Sequence, residues 1–198
     1  MLLKGLLIIK LPYMYNGILE LNKLRMNVCG MEVDGNMKKL IIINGAPGVG
    51  KTSVCKELYK SIDKSVWLDG DWCWMMNPFI ATEENMKMVE DNINFLLRNF
   101  LNNSSYEYVI FNWVIGSEST FNNILERLKD LEFKLYKISL LCSAEALKQR
   151  MIKDRREETK IQYSINKLKS YEKMATYKIN TTSMNIGDII NEICTFLQ

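Results

Sequence analysis

The chain has 198 residues, of which 47% are hydrophobic and 25% charged, with a net charge of +3. That length suits one domain with a substantial core, the composition excludes disordered and fibrous classes, and so small a charge gives no case for nucleic acid. With no histidine at all, His-based triads and His metal sites are excluded, and any general base must be a carboxylate.

Residues 1–36 read differently from the rest. MLLKGLLIIKL is apolar, but Lys4 and Lys10 interrupt it, and it falls short of the roughly eighteen residues that a membrane span needs. It also lacks the basic start and cleavage site of a signal peptide. MKKLIIINGAPGVGKT, from Met37, would itself be a typical beginning, and Met31-Glu32-Val33-Asp34 can be encoded by a purine-rich ribosome-binding sequence just upstream of it. The expectation is therefore an extension of doubtful native status over 1–36 and a domain over 37–198. The opposite reading, an apolar arm that packs on the domain or on a partner, stays open.

Leu40 to Thr52, LIIINGAPGVGKT, is the stretch around which the domain is organised. It predicts a buried strand, a glycine-rich turn and the first turn of a helix, the context in which Gly45-x-x-x-x-Gly50-Lys51-Thr52 is a phosphate-binding loop. Gly45, Gly48 and Gly50 allow backbone N–H groups to turn inward around a polyphosphate, and the loop through Ala46, Pro47, Val49 and Ser53 forms the cradle. Lys51 would reach the β- and γ-phosphates, the Thr52 hydroxyl would ligate Mg²⁺, and the helix adds the positive end of its dipole.

The helix continues to Ile62, and Ser65 to Leu68 form a second strand that ends in Asp69-Gly70-Asp71. Carboxylates at the carboxyl end of a strand lie where open α/β sheets bind ligands. One of them can hold Mg²⁺ or accept a proton from the attacking group. Asp-Gly-Asp is also ordinary turn chemistry. Trp72 and Trp74 come directly after it and suit a pocket wall that stacks on a flat substrate, or simple packing. Thr82 opens a long helix with Glu83 and Glu84 in its first turn, and Asn92 on it could reach a substrate. YVIFNWVI, residues 108–115, is an apolar central strand. Where many nucleotide hydrolases carry a Mg²⁺-anchoring acid, it has Asn112 and Trp113, which moves the carboxylate duty to Asp69 and Asp71.

A helix over 119–131 and a strand over 134–142 come next. Ser143 then caps a helix that runs through LKQRMIKDRREE, with Arg150, Asp154, Arg155 and Arg156 within two turns. Such arginines suit a lid over the triphosphate or a solvated helix face. A helix over 165–174, a strand over 177–180, the loop Thr181-Thr182-Ser183 and a final helix capped by Asn185 complete the chain. The five cysteines, Cys29, Cys55, Cys73, Cys142 and Cys194, are scattered and read as reduced core residues of a cytoplasmic protein.

Alternating strands and helices predict an α/β fold with a parallel sheet covered on both faces. GAPGVGKT, LDGDW, YVIFNWV and Leu147-x-x-Arg150-x-x-x-Asp154-x-Arg156 together resemble the P-loop kinases of nucleotides and small metabolites. Cousins include the adenylylsulfate, gluconate, shikimate and chloramphenicol kinases. The resemblance implies a three-layer P-loop fold with a five-stranded sheet of order 2-3-1-4-5, a short lid, and ATP at the carboxyl edge. It also implies Asp69 and Asp71 as the acidic pair that binds Mg²⁺ or activates the acceptor. Arg150 would lie near the adenine or phosphates, Arg155 or Arg156 would serve the lid, and Thr181 and Thr182 would border the adenine. Asn180 departs from the aspartate that relatives often carry.

The expected function is ATP-dependent phosphoryl transfer to a small acceptor such as a nucleotide or nucleoside, with ATP and Mg²⁺ required. Asp71, Trp72, Trp74, Asn92 and Trp113 are the candidate acceptor contacts. The protein would be cytoplasmic, a monomer or homodimer, without membrane or nucleic-acid partners. The alternatives are an ATP-binding regulator with slow hydrolysis and no acceptor, and a polynucleotide 5′-kinase.

Overall fold

The computed structural model describes residues 37–198, so the expectation for 1–36 lies outside the described residues. Strand β1 (Lys38–Asn44) is completely buried from Leu40 onward, and the all-buried β3 (Tyr108–Asn112) flanks it on one side. β4 (Phe133–Leu141) lies on the other. β2 (Ser65–Asp69) and β5 (Tyr177–Asn180) form the edges. All pairs are parallel, in the order β2-β3-β1-β4-β5, as expected. The near-continuous apolar runs belong to the interior strands because those are covered on both faces.

The connections decide which helix covers which face. From β1 the chain crosses outward to β2, then returns to β3 and passes over β1 to β4 and β5. Right-handed crossovers in opposite directions put their helices on opposite faces. α1 (Lys51–Ser61) therefore lies on one face, where it packs against α6 (Ile186–Leu197). α2 (Glu83–Asn102), α3 (Glu118–Glu126), α4 (Ala144–Lys153) and α5 (Glu158–Glu172) follow the other direction.

Three boundaries differ from expectation. β3 stops at Asn112, because the Asn44 side chain captures the main chain beyond it: Asn44 Nδ2 donates to Ile115 O at 3.0 Å, and Ile115 N donates to Asn44 Oδ1 at 2.8 Å. α3 ends at Glu126 and gives way to turns around Leu128 and Leu131. The helix expected through residue 158 ends at Lys153, and the next, expected from 165, begins at Glu158. At the break Arg155 takes a left-handed φ of 56°, Arg155 N bonds Ile152 O at 2.9 Å and Arg156 N bonds Met151 O at 2.9 Å. That pair of bonds is the Schellman closure of a helix C-terminus, with an arginine where glycine is usual. Cys55, Cys73 and Cys142 are free thiols. No helix among the described residues is long and apolar enough to cross a membrane.

Candidate active site

β1 delivers its carboxyl end into the loop Gly45–Gly50. Gly50 is the N-cap of α1 at φ 106°, and α1 has neither a side-chain cap nor an acid in its first turn. By contrast α2, α3, α4 and α6 are capped by Thr82, Ser117, Ser143 and Asn185, and each has an acid there. The first N–H groups of α1 are thus left for an anion, as at a phosphate site. Gly48 has φ 82°, and a Cβ on it would lie 2.5 Å from Met151 Cγ, so the loop and α4 meet where only glycine fits. Lys51 is buried, with Nζ donating to Gly45 O at 2.9 Å and to Ala46 O at 3.1 Å. Burial pushes the pKa of its amine down to about 8, against the pull of Asp71 and Asp69.

The acidic pair divides in two. Asp69, 2% exposed, accepts the Thr52 hydroxyl on Oδ2 at 2.7 Å and the Asp71 N–H on Oδ1 at 3.0 Å. Asp71 instead borders the cleft over the loop. Desolvation first, and then the Asp69 carboxylate, raise the pKa of Asp71 above its ordinary value, while Lys51 and Arg156 oppose the shift. Gly70 between them is set by space, since a Cβ there would lie 2.6 Å from the Trp113 ring. Asn112, paired with Asp69 across the β2–β3 ladder, accepts Trp67 Nε1–H at 2.6 Å.

The cleft has a volume of about 390 Å³. The loop and Thr52 form its floor, and Asp71, Val114, Met151, Asp154, Arg156, Lys160, Tyr163 and Ser164 complete its walls. The Schellman turn separates the neighbouring arginines: Arg156 borders the cleft and Arg155 does not. Arg150 ties parts together. Its Nη1 donates to Val49 O at 3.2 Å and Thr181 Oγ1 at 3.0 Å, and its Nη2 donates to Thr181 O at 2.6 Å. Thr181 also donates to Leu141 O at 3.0 Å, and Thr182 Oγ1 donates to Asn180 Oδ1 at 2.7 Å while accepting Ser143 N–H at 2.9 Å.

With this geometry in place the comparisons are decisive for the family. A family model described as AAA domain matches residues 41–175, which is more than half of the chain. The chain belongs to the AAA-domain family. The cytidylate kinase of Buchnera aphidicola subsp. Baizongia pistaciae is 33% identical over 89 residues, 45% of this AAA-domain chain and 38% of that relative. The match therefore spans well under half the length of that curated relative. A gluconokinase from Sinorhizobium meliloti superposes with a TM-score of 0.62 at 17% identity, over 82% of this chain and 93% of that one. Shikimate kinase from Acinetobacter baumannii, in complex with shikimate, gives 0.57 at 20% identity, over 82% and 93%. At those identities the likeness is one of fold, and the fold is that of the P-loop kinases.

Within the AAA-domain cleft, the loop, Lys51, Thr52, Ser53, Asp71 and Arg156 come together. Trp72, Trp74, Asn92 and Trp113 are not among its walls. Trp72 leans on Trp67 with centroids 4.8 Å apart, Trp74 packs on Phe79 at 5.5 Å, Trp113 covers Gly70, and Asn92 is exposed on α2. Sequence reasoning missed Lys160, Tyr163 and Ser164 because it began that helix at 165, beyond all three. The signal was there: Ile161, Leu168 and Tyr171 extend the apolar stripe back across the assumed start.

Proposed function

We propose that this protein transfers a phosphoryl group from ATP to a small acceptor, with a nucleoside monophosphate as the first class to test. The observation that carries the reading is the division of labour between Asp69 and Asp71. Asp69 is buried and committed to Thr52 and to the Asp71 N–H; Asp71 borders the cleft. A protein that only bound or slowly hydrolysed ATP would need the first of these and not the second.

In this reading the loop N–H groups and Lys51 hold the polyphosphate, and α1 contributes the positive end of its dipole. Thr52 and Asp69 fit Mg²⁺: a hydroxyl and a buried carboxylate oxygen 2.7 Å apart supply few protein ligands, as suits an ion that takes the rest from phosphates and water. No cluster of three or more acids or cysteines that could hold a metal exists among the described residues. The ion would neutralise charge on the phosphates. Asp71 accepts the proton of an attacking hydroxyl, or orients an attacking phosphate, and its raised pKa makes it the better base. Arg156 faces the charge that spreads during transfer. Arg150 positions the loop through Val49 and Thr181, so its role is indirect.

The 33% identity to a cytidylate kinase favours nucleoside monophosphates; nucleosides, sugar acids and aminoglycoside or phenicol antibiotics complete the panel. ADP release with Mg²⁺ is measured against that panel. One acceptor is expected to raise turnover well above background, and Asp71→Asn to lower it by about 10²–10⁴ with ATP affinity kept. Tight ATP binding with no stimulating acceptor, or full turnover by Asp71→Asn, would overturn the reading in favour of the regulator.

A further inference from the structure

The buried face of α5 is made of Ile161, Ser164, Leu168 and Tyr171. Three of these suit an apolar stripe at helical spacing; the serine does not. Ser164 is 0% exposed, its hydroxyl has no hydrogen-bond partner among the described residues, and it borders the cleft over the phosphate loop. A helical serine can ordinarily satisfy itself on a carbonyl of the preceding turn. Ser170 does so on Lys167 O at 2.7 Å, and Thr195 on Asn191 O at 2.9 Å. The Ser164 hydroxyl is left open although that remedy lies within its own helix.

A buried hydroxyl without a partner costs stability, and a place where that cost is kept inside a ligand cleft points to the ligand as the partner. The other buried unpartnered atom among the described residues, Asn94 Oδ1, belongs to an amide already bonded through Nδ2 to Glu90 O at 2.9 Å, and Asn94 is not a cleft wall. Lys160 lies one turn before Ser164 on the same face and borders the same cleft. Its ammonium has Glu157 at 3.4 Å, an exposed pair of the kind that contributes little. A hydroxyl and an ammonium four residues apart recognise an anionic oxygen.

We propose that Ser164, with Lys160, forms an oxyanion subsite on the α5 wall of the cleft. The inference rests on the phosphoryl-transfer reading and adds a recognition element to it. The anionic oxygen is supplied either by the γ-phosphoryl of ATP or by an anionic group of the acceptor. An acceptor bearing a phosphate or carboxylate would then be preferred over its neutral counterpart.

The test uses Ser164→Ala in the full chain. The affinities of ADP and of the non-hydrolysable analogue AMP-PNP are measured with Mg²⁺, and inorganic phosphate is then titrated into AMP-PNP-saturated protein. Removal of the open hydroxyl should hold or raise the melting temperature, a direction that a structural hydrogen bond would not give. One of the two binding steps should weaken about tenfold or more. Weaker AMP-PNP at unchanged ADP identifies the γ-phosphoryl as the occupant, and weaker phosphate identifies the acceptor. Lys160→Met should weaken the same step. Both steps unchanged in Ser164→Ala overturns the subsite while leaving the kinase reading intact. An unmutated protein that binds no AMP-PNP overturns the kinase reading, and the subsite with it.

Discussion

Beneath the phosphate loop a set of polar side chains is bonded inside the protein, whereas the segment after Asp71 turns large apolar side chains into solvent. Lys51, Thr52, Asp69, Arg150 and Thr181 all have their partners within the fold. Met75 is 84% exposed, Phe79 66% and Ile80 48%, and few hydrogen bonds tie that stretch down. The contrast follows the chemistry. Polyphosphate is the same in every ATP, so backbone N–H groups and short internal bonds can preorganise its site. The stretch after Asp71 does not border the cleft, and its exposed apolar side chains make contacts that are cheap to change.

Lys51→Ala should break the nucleotide side most severely. Loss of the buried amine is expected to cut turnover by about 10³ or more, as loss of a preorganised charge does; a variant with near-normal turnover would mean that Lys51 does not face the phosphates. Gly48→Ala comes next. A Cβ at φ 82° and 2.5 Å from Met151 Cγ should cost about 1–3 kcal/mol in urea denaturation, together with weaker ATP binding, and unchanged stability would show that α4 yields.

The third way to sharpen the comparison is pH. Burial holds the pKa of free Lys51 at about 8, and bound phosphates favour the charged amine, so that pKa rises on binding. ATP affinity from this group is fully present below pH 8 and falls as pH rises through it. Calorimetry near pH 8 in buffers of different ionisation enthalpy should record proton uptake, and none would refute the assignment. The smallest effect belongs to the other side: Met75→Ser should change stability by no more than about 0.5 kcal/mol and leave ATP affinity alone. If it weakened ATP as much as Gly48→Ala, the two sides would not be separable.

The parts legible in the sequence were those governed by local chemistry. Leu40–Ile43 with the glycines and Lys51-Thr52 announce a buried strand, an open helix N-terminus and a phosphate site, because each requirement acts within a few residues. The sheet order came through resemblance. In sequence the tryptophans beside Asp71 stay open between pocket wall and packing, because aromatic density in sequence says nothing about direction; Trp72 and Trp74 pack on Trp67 and Phe79 and do not line the cleft.

By itself the sequence determined the strand–loop–helix unit, the α/β alternation and the presence of two acids after β2. Only the tertiary structure decided which acid faces the cleft, which of Arg155 and Arg156 borders it, and that Arg150 bonds Val49 and Thr181. The physical reason is that these roles depend on groups far apart in the chain. Thr52 meets Asp69 across 17 positions, and Arg150 meets Val49 across 101. A left-handed residue at Arg155 turns its neighbour into the site. Local pattern specifies which groups exist; packing specifies which of them meet.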